Sequence, residues 1–270
     1  MANARALDKR RKSIRNIRKI TRTMELIATA RYKKAMDRAA AVTAYTEQIT
    51  RIVSRLIAAG TKVDHPLLQQ REKTNVARVL VLSSNRGLCG GYNASVMRAA
   101  MLRIEELKAS VPKMLVDVSG KRGINGLKFR NVETSQRYTQ FEDQPAYDEV
   151  EKIANDYLQQ YTLGEVDRLD VVYTKFISTS RQVAVVETLL PLGSIGGDAG
   201  AADSEKSSEF EFLPSAESIL EEIVPTSFKI KLFKCFLDAA VSEQVARMIA
   251  MKGATESAGD MIKQLSRTYN

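Results

Sequence analysis

The first glycine of this 270-residue chain is Gly60 and its first proline is Pro66. Inside a helix, glycine costs about 1 kcal/mol and proline about 3 kcal/mol relative to alanine. A stretch this long without either residue therefore predicts one continuous helix. At 1.5 Å per residue, fifty residues span roughly 75 Å, longer than a compact domain of this size can surround. Such a helix needs a partner along its length.

Read in heptads, the first position runs Ile14, Thr21, Ala28, Ala35, Val42, Ile49, Leu56. The fourth runs Ile17, Met24, Arg31, Arg38, Tyr45, Ile52. Apolar and small residues fill the first row, and two arginines interrupt the second. The pattern predicts a coiled-coil seam, imperfect in the middle. The expected partner lies at the other end of the chain. From Thr226 to Asn270 there is no proline, and Phe233, Phe236, Leu237, Ala240, Val245, Met248 and Ile249 recur at helical spacing. Ala246, Ala250, Gly253, Ala254 and Ala258 add a stripe of small residues. Small faces small, so two long helices can pack closely and antiparallel. Close approach of a second backbone accounts for keeping Gly253 and Gly259 despite their helix cost. The alternative is that both helices cover an ordinary core.

Between the helices the texture changes. The run 76–82 (VARVLVL) reads as a buried strand, 94–108 as a helix and 113–119 (KMLVDVS) as a second strand. Residues 146–161 read as another helix. Residues 169–178 and 182–192 read as strands of a hairpin, joined by the polar turn Thr179–Arg181. Residues 193–209 are rich in Gly, Ala, Ser and Asp and read as a mobile loop, and 209–215 (EFEFLPS) as a last edge strand. The expected fold is an α/β domain, Rossmann-like with a mixed sheet, inserted between two long terminal helices that form an antiparallel coiled coil. Its divisions fall at 1–60, 66–215 and 216–270. A shaft with a knob suits force transmission or the bridging of partners.

The net charge of +9 is local. Residues 1–60 hold 15 Lys/Arg against 4 Asp/Glu, and the rest of the chain 26 against 28. A basic segment attracts nucleic acid, a membrane surface or an acidic protein partner. The basic block from Arg5 to Arg22 carries Ile14, Ile17 and Ile20 but no aromatic stacking residue, and no leucine zipper follows it, so nucleic acid is not the expected partner. No apolar run reaches 18 residues, and the Arg-rich start lacks the apolar core of a secretory signal. Its helical pattern continues past residue 30, which places it in the mature fold. Cys89, Cys235 and His65 are the only residues of their types. Neither a disulfide framework nor a His/Cys metal site is expected. His65, ahead of Pro66, reads as a loop residue.

The stretch SSNRGLCGGYNAS (83–95) sits between a strand and a helix, where nucleotide-binding proteins hold phosphate. The Walker pattern needs Lys and a hydroxyl after its last glycine; here Gly91 is followed by Tyr92 and Asn93. The dinucleotide pattern G-x-G-x-x-G differs from the G-x-x-G-G found here. Asp117 lies within its strand rather than at the end, where a ribose ligand would stand. The expected role of Gly87, Gly90 and Gly91 is to permit positive φ and close strand-to-helix packing. SGKRGING (119–126) reads as a second glycine-rich turn; Lys121 and Arg122 there either bind an anion or simply face water. The pairs Glu105/Glu106 and Glu221/Glu222 read as solvated helix faces. No catalytic set, cofactor site or metal site is expected.

Three blocks identify a family resemblance. They are KSIRNIRKITRTMELIATARYKKA (12–35), SSNRGLCGGYN (83–93) and SEQVARMIAMKGATESAGDMIKQL (242–265). In this order they resemble the γ subunit of F-type ATP synthase, in its bacterial or organellar form, essentially end to end. The resemblance implies a central rotor stalk that makes and breaks no bonds. Its coiled coil would enter the ring of α and β subunits. Its α/β domain would sit on the membrane c-ring beside the ε subunit, peripheral on the cytoplasmic side of a cell membrane or on the matrix or stromal side in an organelle. Ion-driven rotation of the ring would then drive ATP synthesis in the head.

The residues implied as partner contacts are Lys19, Met24, Arg31, Lys33 and Lys34 of the first block, Gln244 and Arg247 of the third, and Phe210 and Phe212 near the foot. The basic run from Lys9 to Arg38 is expected to steer contact with acidic loops of the surrounding sleeve. Asn85 stands where the family commonly has Asp, which removes any charge role there. The family normally continues beyond the position of Asn270 with a helix reaching the upper bearing, and those contacts have no counterpart in this sequence. Cys89 and Cys235 fall in separate expected elements, so no regulatory dithiol is expected. The competing reading is a nucleotide-dependent α/β enzyme with coiled-coil arms, which would bind nucleotide through Gly87–Gly91.

Overall fold

The computed structural model describes residues 2–58, 65–69, 71–142, 144–192 and 216–269. The loop expected at 193–209, the edge strand at 209–215, Phe210 and Phe212 lie outside the described residues. Helix α1 (Ala2–Ala58) has 57 residues and runs roughly 85 Å. Helix α5 (Ala216–Tyr269) has 54 and runs roughly 80 Å. They pair antiparallel. The Arg11 guanidinium lies 5.1 Å from the Tyr269 ring centroid. Thr255 Oγ1 donates to Thr21 Oγ1 at 2.8 Å. Ala35 and Ala39 share a core with Leu237, Val241 and Val245.

The first heptad row is the buried one, with Thr21, Ala28, Ala35 and Ile49 all under a tenth exposed. The second row is not the one read from sequence. Ile17 and Tyr45 are exposed, and the residues that join the seam are Glu25, Tyr32 and Ala39. From Thr21 the seam steps four then three, so its second row falls one residue later than the fixed count from Ile14. The small stripe of α5 also serves differently. Ala246 and Ala250 face Gly90 of the α/β domain. Nothing lies within 4 Å of where a Cβ on Gly253 would stand, and Gly259 has the Arg18 guanidinium at 3.8 Å rather than a backbone. Neither glycine therefore marks a close helix–helix approach. Helix α5 includes Pro225, which lacks the N–H of an interior helical residue.

Five strands form a mixed sheet between the helices. They are β1 (Val76–Leu82), β2 (Lys113–Ser119), β3 (Gln136–Tyr138), β4 (Arg168–Ser178) and β5 (Arg181–Leu190), in the order β3-β2-β1-β4-β5. The first four are parallel, and β4–β5 is an antiparallel hairpin. Helices α2 (Tyr92–Ser110), α3 (Lys121–Phe129) and α4 (Tyr147–Thr162) complete the layers. Alternation along β1 separates two cores. Ala77, Val79 and Val81 pack with Val96, Ala100 and Ile104 of α2. Leu80 and Leu82 pack with Ile153 and Tyr157 of α4 and Phe228 and Leu232 of α5. Helix α5 therefore belongs to both the shaft and the α/β domain.

Candidate functional site

The glycine-rich turn after β1 is a closed knot. Ser84 N–H and Oγ both meet Asn93 Oδ1 at 3.1 Å, and Ser84 Oγ also reaches Arg86 O at 2.6 Å. Asn93 Nδ2 donates to Ser84 Oγ at 2.7 Å and to Cys89 Sγ at 3.1 Å. Burial pushes the Cys89 thiol up, so it stays protonated. Of the three glycines only Gly90 has positive φ, at 55°, and Leu88 shares that region at 63°. A Cβ on Gly87 would stand 2.7 Å from Arg122 Nη2.

The second glycine turn closes onto the first, and α3 begins at once instead of after a loop. Gly120 has φ 98°, and a Cβ there would stand 2.2 Å from Ser83 O. The first amides of α3 are taken by the β1 turn. Lys121 N–H donates to Asn85 Oδ1, Arg122 N–H to Ser84 O and Gly123 N–H to Ser83 Oγ. A helix N-terminus binds anions through free amides, and these three are committed. Asn85 also donates through Nδ2 to Thr139 O at 3.0 Å and Phe141 O at 2.8 Å. A carboxylate could make neither bond, which explains Asn at this position.

Asp117 is equally committed. It accepts from Arg78 Nη1 at 2.8 Å, the Tyr157 hydroxyl at 2.8 Å and Gln136 N–H at 3.1 Å. Its Oδ1 fixes β3 through the Gln136 N–H.

Helix α5 grips this turn. Arg247 Nη2 pairs with Glu243 at 2.6 Å and points at Gly87 O and Arg86 O, 3.4 and 3.5 Å away. Ser242 Oγ donates to Thr174 O of β4 at 3.2 Å. Gln244 is fully buried and Arg247 is 7% exposed. Both residues expected at a partner contact are thus covered within the chain: Arg247 faces the glycine-rich turn, and Gln244 falls on the α5 face that carries Leu237 and Val241 toward α1. A cavity of about 340 Å³ remains, bordered by Gly91, Ser95, Thr174, Gln182, Ala246 and Ile249. Its lining carries no charged side chain to meet a phosphate.

The other candidates lie on α1. Lys19, Lys33 and Lys34 are exposed, and Met24 and Arg31 are half-buried. Beside them Ile17, Ile20 and Ile27 are 47, 59 and 46% exposed. At 100° per residue these isoleucines and Met24 fall in one sector roughly 80° wide, adjacent to the seam. An exposed apolar stripe beside cations marks an interaction surface. The sequence pattern contained this stripe, but Ile17 was assigned to the seam. Among the described residues no group of three or more His, Cys, Asp or Glu is arranged to hold a metal. Among them too, no helix is long and apolar enough to cross a membrane.

A family model described as ATP synthase matches residues 3–270. The ATP synthase gamma chain of Rhodopirellula baltica is 77% identical over 273 residues, covering 100% of this chain and 92% of that one. The gamma chain of Leptospira biflexa is 34% identical, with the same two coverages. Among solved structures, the rotor of the Euglena gracilis mitochondrial ATP synthase superposes with a TM-score of 0.64 at 17% identity, over 100% of this chain and 96% of that one. The Tetrahymena thermophila mitochondrial central stalk and c-ring structure gives 0.59 at 18% identity, over 87% and 99%. The structures speak to the fold, an α/β domain on a two-helix shaft. The identity and the end-to-end family match decide the membership: this chain belongs to the ATP synthase gamma chain family.

Proposed function

We propose that this chain is the central rotor stalk of an F-type ATP synthase and performs no chemistry itself. One observation carries the reading beyond family membership. Two helices, each more than fifty residues long, form one antiparallel shaft, and α5 continues without a break into the core of the α/β domain. A rotation imposed on the domain is thereby delivered along the shaft. The domain end would sit on the membrane-embedded c-ring with the ε subunit. The far end would turn inside the head of α and β subunits, whose nucleotide sites do the catalysis. The complex sits at a membrane, and the domain end would face its cytoplasmic, matrix or stromal side.

The surface we assign to the sleeve is the isoleucine stripe with Lys19, Met24, Arg31, Lys33 and Lys34. Apolar area there gives contact that slides, and the cations steer the shaft toward acidic loops. The test is co-purification and rotation. The tagged chain should bring down α, β and ε subunits, and a bead on the assembled rotor should turn on ATP addition. Turnover of nucleotide by the isolated chain, with no partner recovered, would overturn the reading. Neutralising Lys19, Lys33 and Lys34 together should make assembly markedly weaker and less salt-sensitive.

A further inference from the structure

The hairpin β4–β5 extends beyond the body of the sheet. β4 pairs with β1 only as far as Val172 but continues to Ser178. Both shaft helices hold the overhang. From α1, the Tyr32 hydroxyl lies 3.0 Å from Thr179 Oγ1, and its ring packs on Phe176 with centroids 6.3 Å apart. From α5, Ser242 bonds Thr174 O, and Asp238 is buried beside the Phe176 backbone. Phe176 sits where the two strands slip register.

Asp238 is only 5% exposed. Several groups face it. Lys234 on its own helix and Lys175 on β4 favour its ionised form, and Glu187 on β5 opposes it. Glu187 accepts the Tyr173 hydroxyl at 2.6 Å, and Tyr173 also meets the buried thiol of Cys235, one turn before Asp238. From α1 the uncharged Tyr32 approaches, through Phe176.

We propose that this overhang is the joint fastening the α/β domain to the shaft, and that Asp238 makes the fastening proton-dependent. Burial raises the Asp238 carboxyl from 3.8 to about 6. When the hairpin undocks, the carboxyl meets water and regains its ordinary value. The docked form therefore holds the proton more tightly. Docking is strongest at low pH, weakens as pH rises from 3.8 toward 6, and levels off above that. Between pH 5 and 7.5 the undocking equilibrium grows about tenfold by this linkage. The joint is internal to the chain, so it stands or falls separately from the rotor reading.

Amide hydrogen exchange on the full chain in its assembled complex tests this, read on peptides covering 173–183 and corrected for the intrinsic pH dependence. Wild type should lose protection about tenfold from pH 5 to 7.5, flattening above about pH 6. Asp238→Asn keeps the size of the side chain without a titrating group and should abolish the pH dependence. Tyr32→Phe should lower protection equally at every pH. Glu187→Gln removes the opposing charge and should move the flattening to lower pH, which decides the matter if Asp238→Asn does not assemble. A flat wild-type profile, an unchanged slope in Asp238→Asn, or an unmoved profile in Glu187→Gln overturns the proposal.

Discussion

Replacing Arg247 with alanine should cut the bond between the shaft and the glycine-rich turn. The guanidinium is 7% exposed, and its partner Glu243 has a side chain 12% exposed. Removing one member of a buried ion pair costs about 3–5 kcal/mol, chiefly because the other charge stays behind. The two carbonyl contacts, at 3.4 and 3.5 Å, are too long to add a full hydrogen bond each. The total expected loss is therefore near the lower end, about 3 kcal/mol. In a urea titration with a slope of about 3 kcal/mol per molar, the midpoint should fall by about 1 M. The paired variant Glu243→Gln with Arg247→Met keeps the aliphatic stem and removes both charges. It should recover most of the loss, to within about 1 kcal/mol of wild type. Amide protection over 84–91 should follow the same order. A loss below about 0.5 kcal/mol for Arg247→Ala, or a paired variant no better than the single one, would refute the fastening argument.

Two further perturbations test the surrounding framework. Asn85→Asp deletes both donors to Thr139 O and Phe141 O and sets a carboxylate against them; thermal unfolding should show a loss of about 2 kcal/mol at pH 7. Asp167 is pushed up by burial, but the N–H groups of Val76 and Asn75 and the Arg71 guanidinium outweigh this and hold it below 3.8. The ionised form stabilises the fold, so its contribution is present above 3.8 and fades as pH falls through the depressed value. Asp167→Asn should therefore be less stable than wild type at pH 7, with the gap closing in acid; a gap independent of pH would count against it.

Much of the fold was legible because it rests on local signals. The apolar runs of β1 and β2 end where polar or glycine residues begin, and both strands have the bounds read from sequence. Strand β3 was missed because it is three residues, Gln136–Tyr138, with no alternation of its own. The buried Asp117 holds it through the Gln136 N–H, a bond no periodicity reveals. The seam was read one residue off because Thr21 and Glu25 are polar members of it, whereas Ile17 and Ile20 are apolar and lie outside. Hydrophobicity alone assigns the larger residues to the seam and the smaller to the surface. A shaft with the partner surface we propose departs from that rule. Gln244 and Arg247 look like surface groups on a basic, amphipathic helix. The docking of α5 on the glycine-rich turn covers Arg247, and its pairing with α1 covers the face that holds Gln244.

That docking also occupies the place where a nucleotide binder of this topology would seat its ligand. In parallel sheets, ligands bind beyond the carboxyl ends of the strands where the strand order reverses. The order β3-β2-β1-β4-β5 puts that point between β1 and β4. Helix α5 crosses it. Arg247 faces the carbonyls of Arg86 and Gly87 beyond β1, and Ser242 bonds Thr174 O on β4. The positive φ of Leu88 and Gly90 shapes a turn that a helix backbone approaches, with Ala246 O and Ala250 Cβ both 3.8 Å from the position of a Gly90 Cβ. The glycines that elsewhere admit a pyrophosphate here admit a shaft. The exchange is mechanically sensible. β1 and β4 are each paired on both sides, so force entering between them spreads through the whole sheet. The same force applied at the edge strand would load one ladder. Small side chains at 246 and 250 keep the helix close enough for that contact.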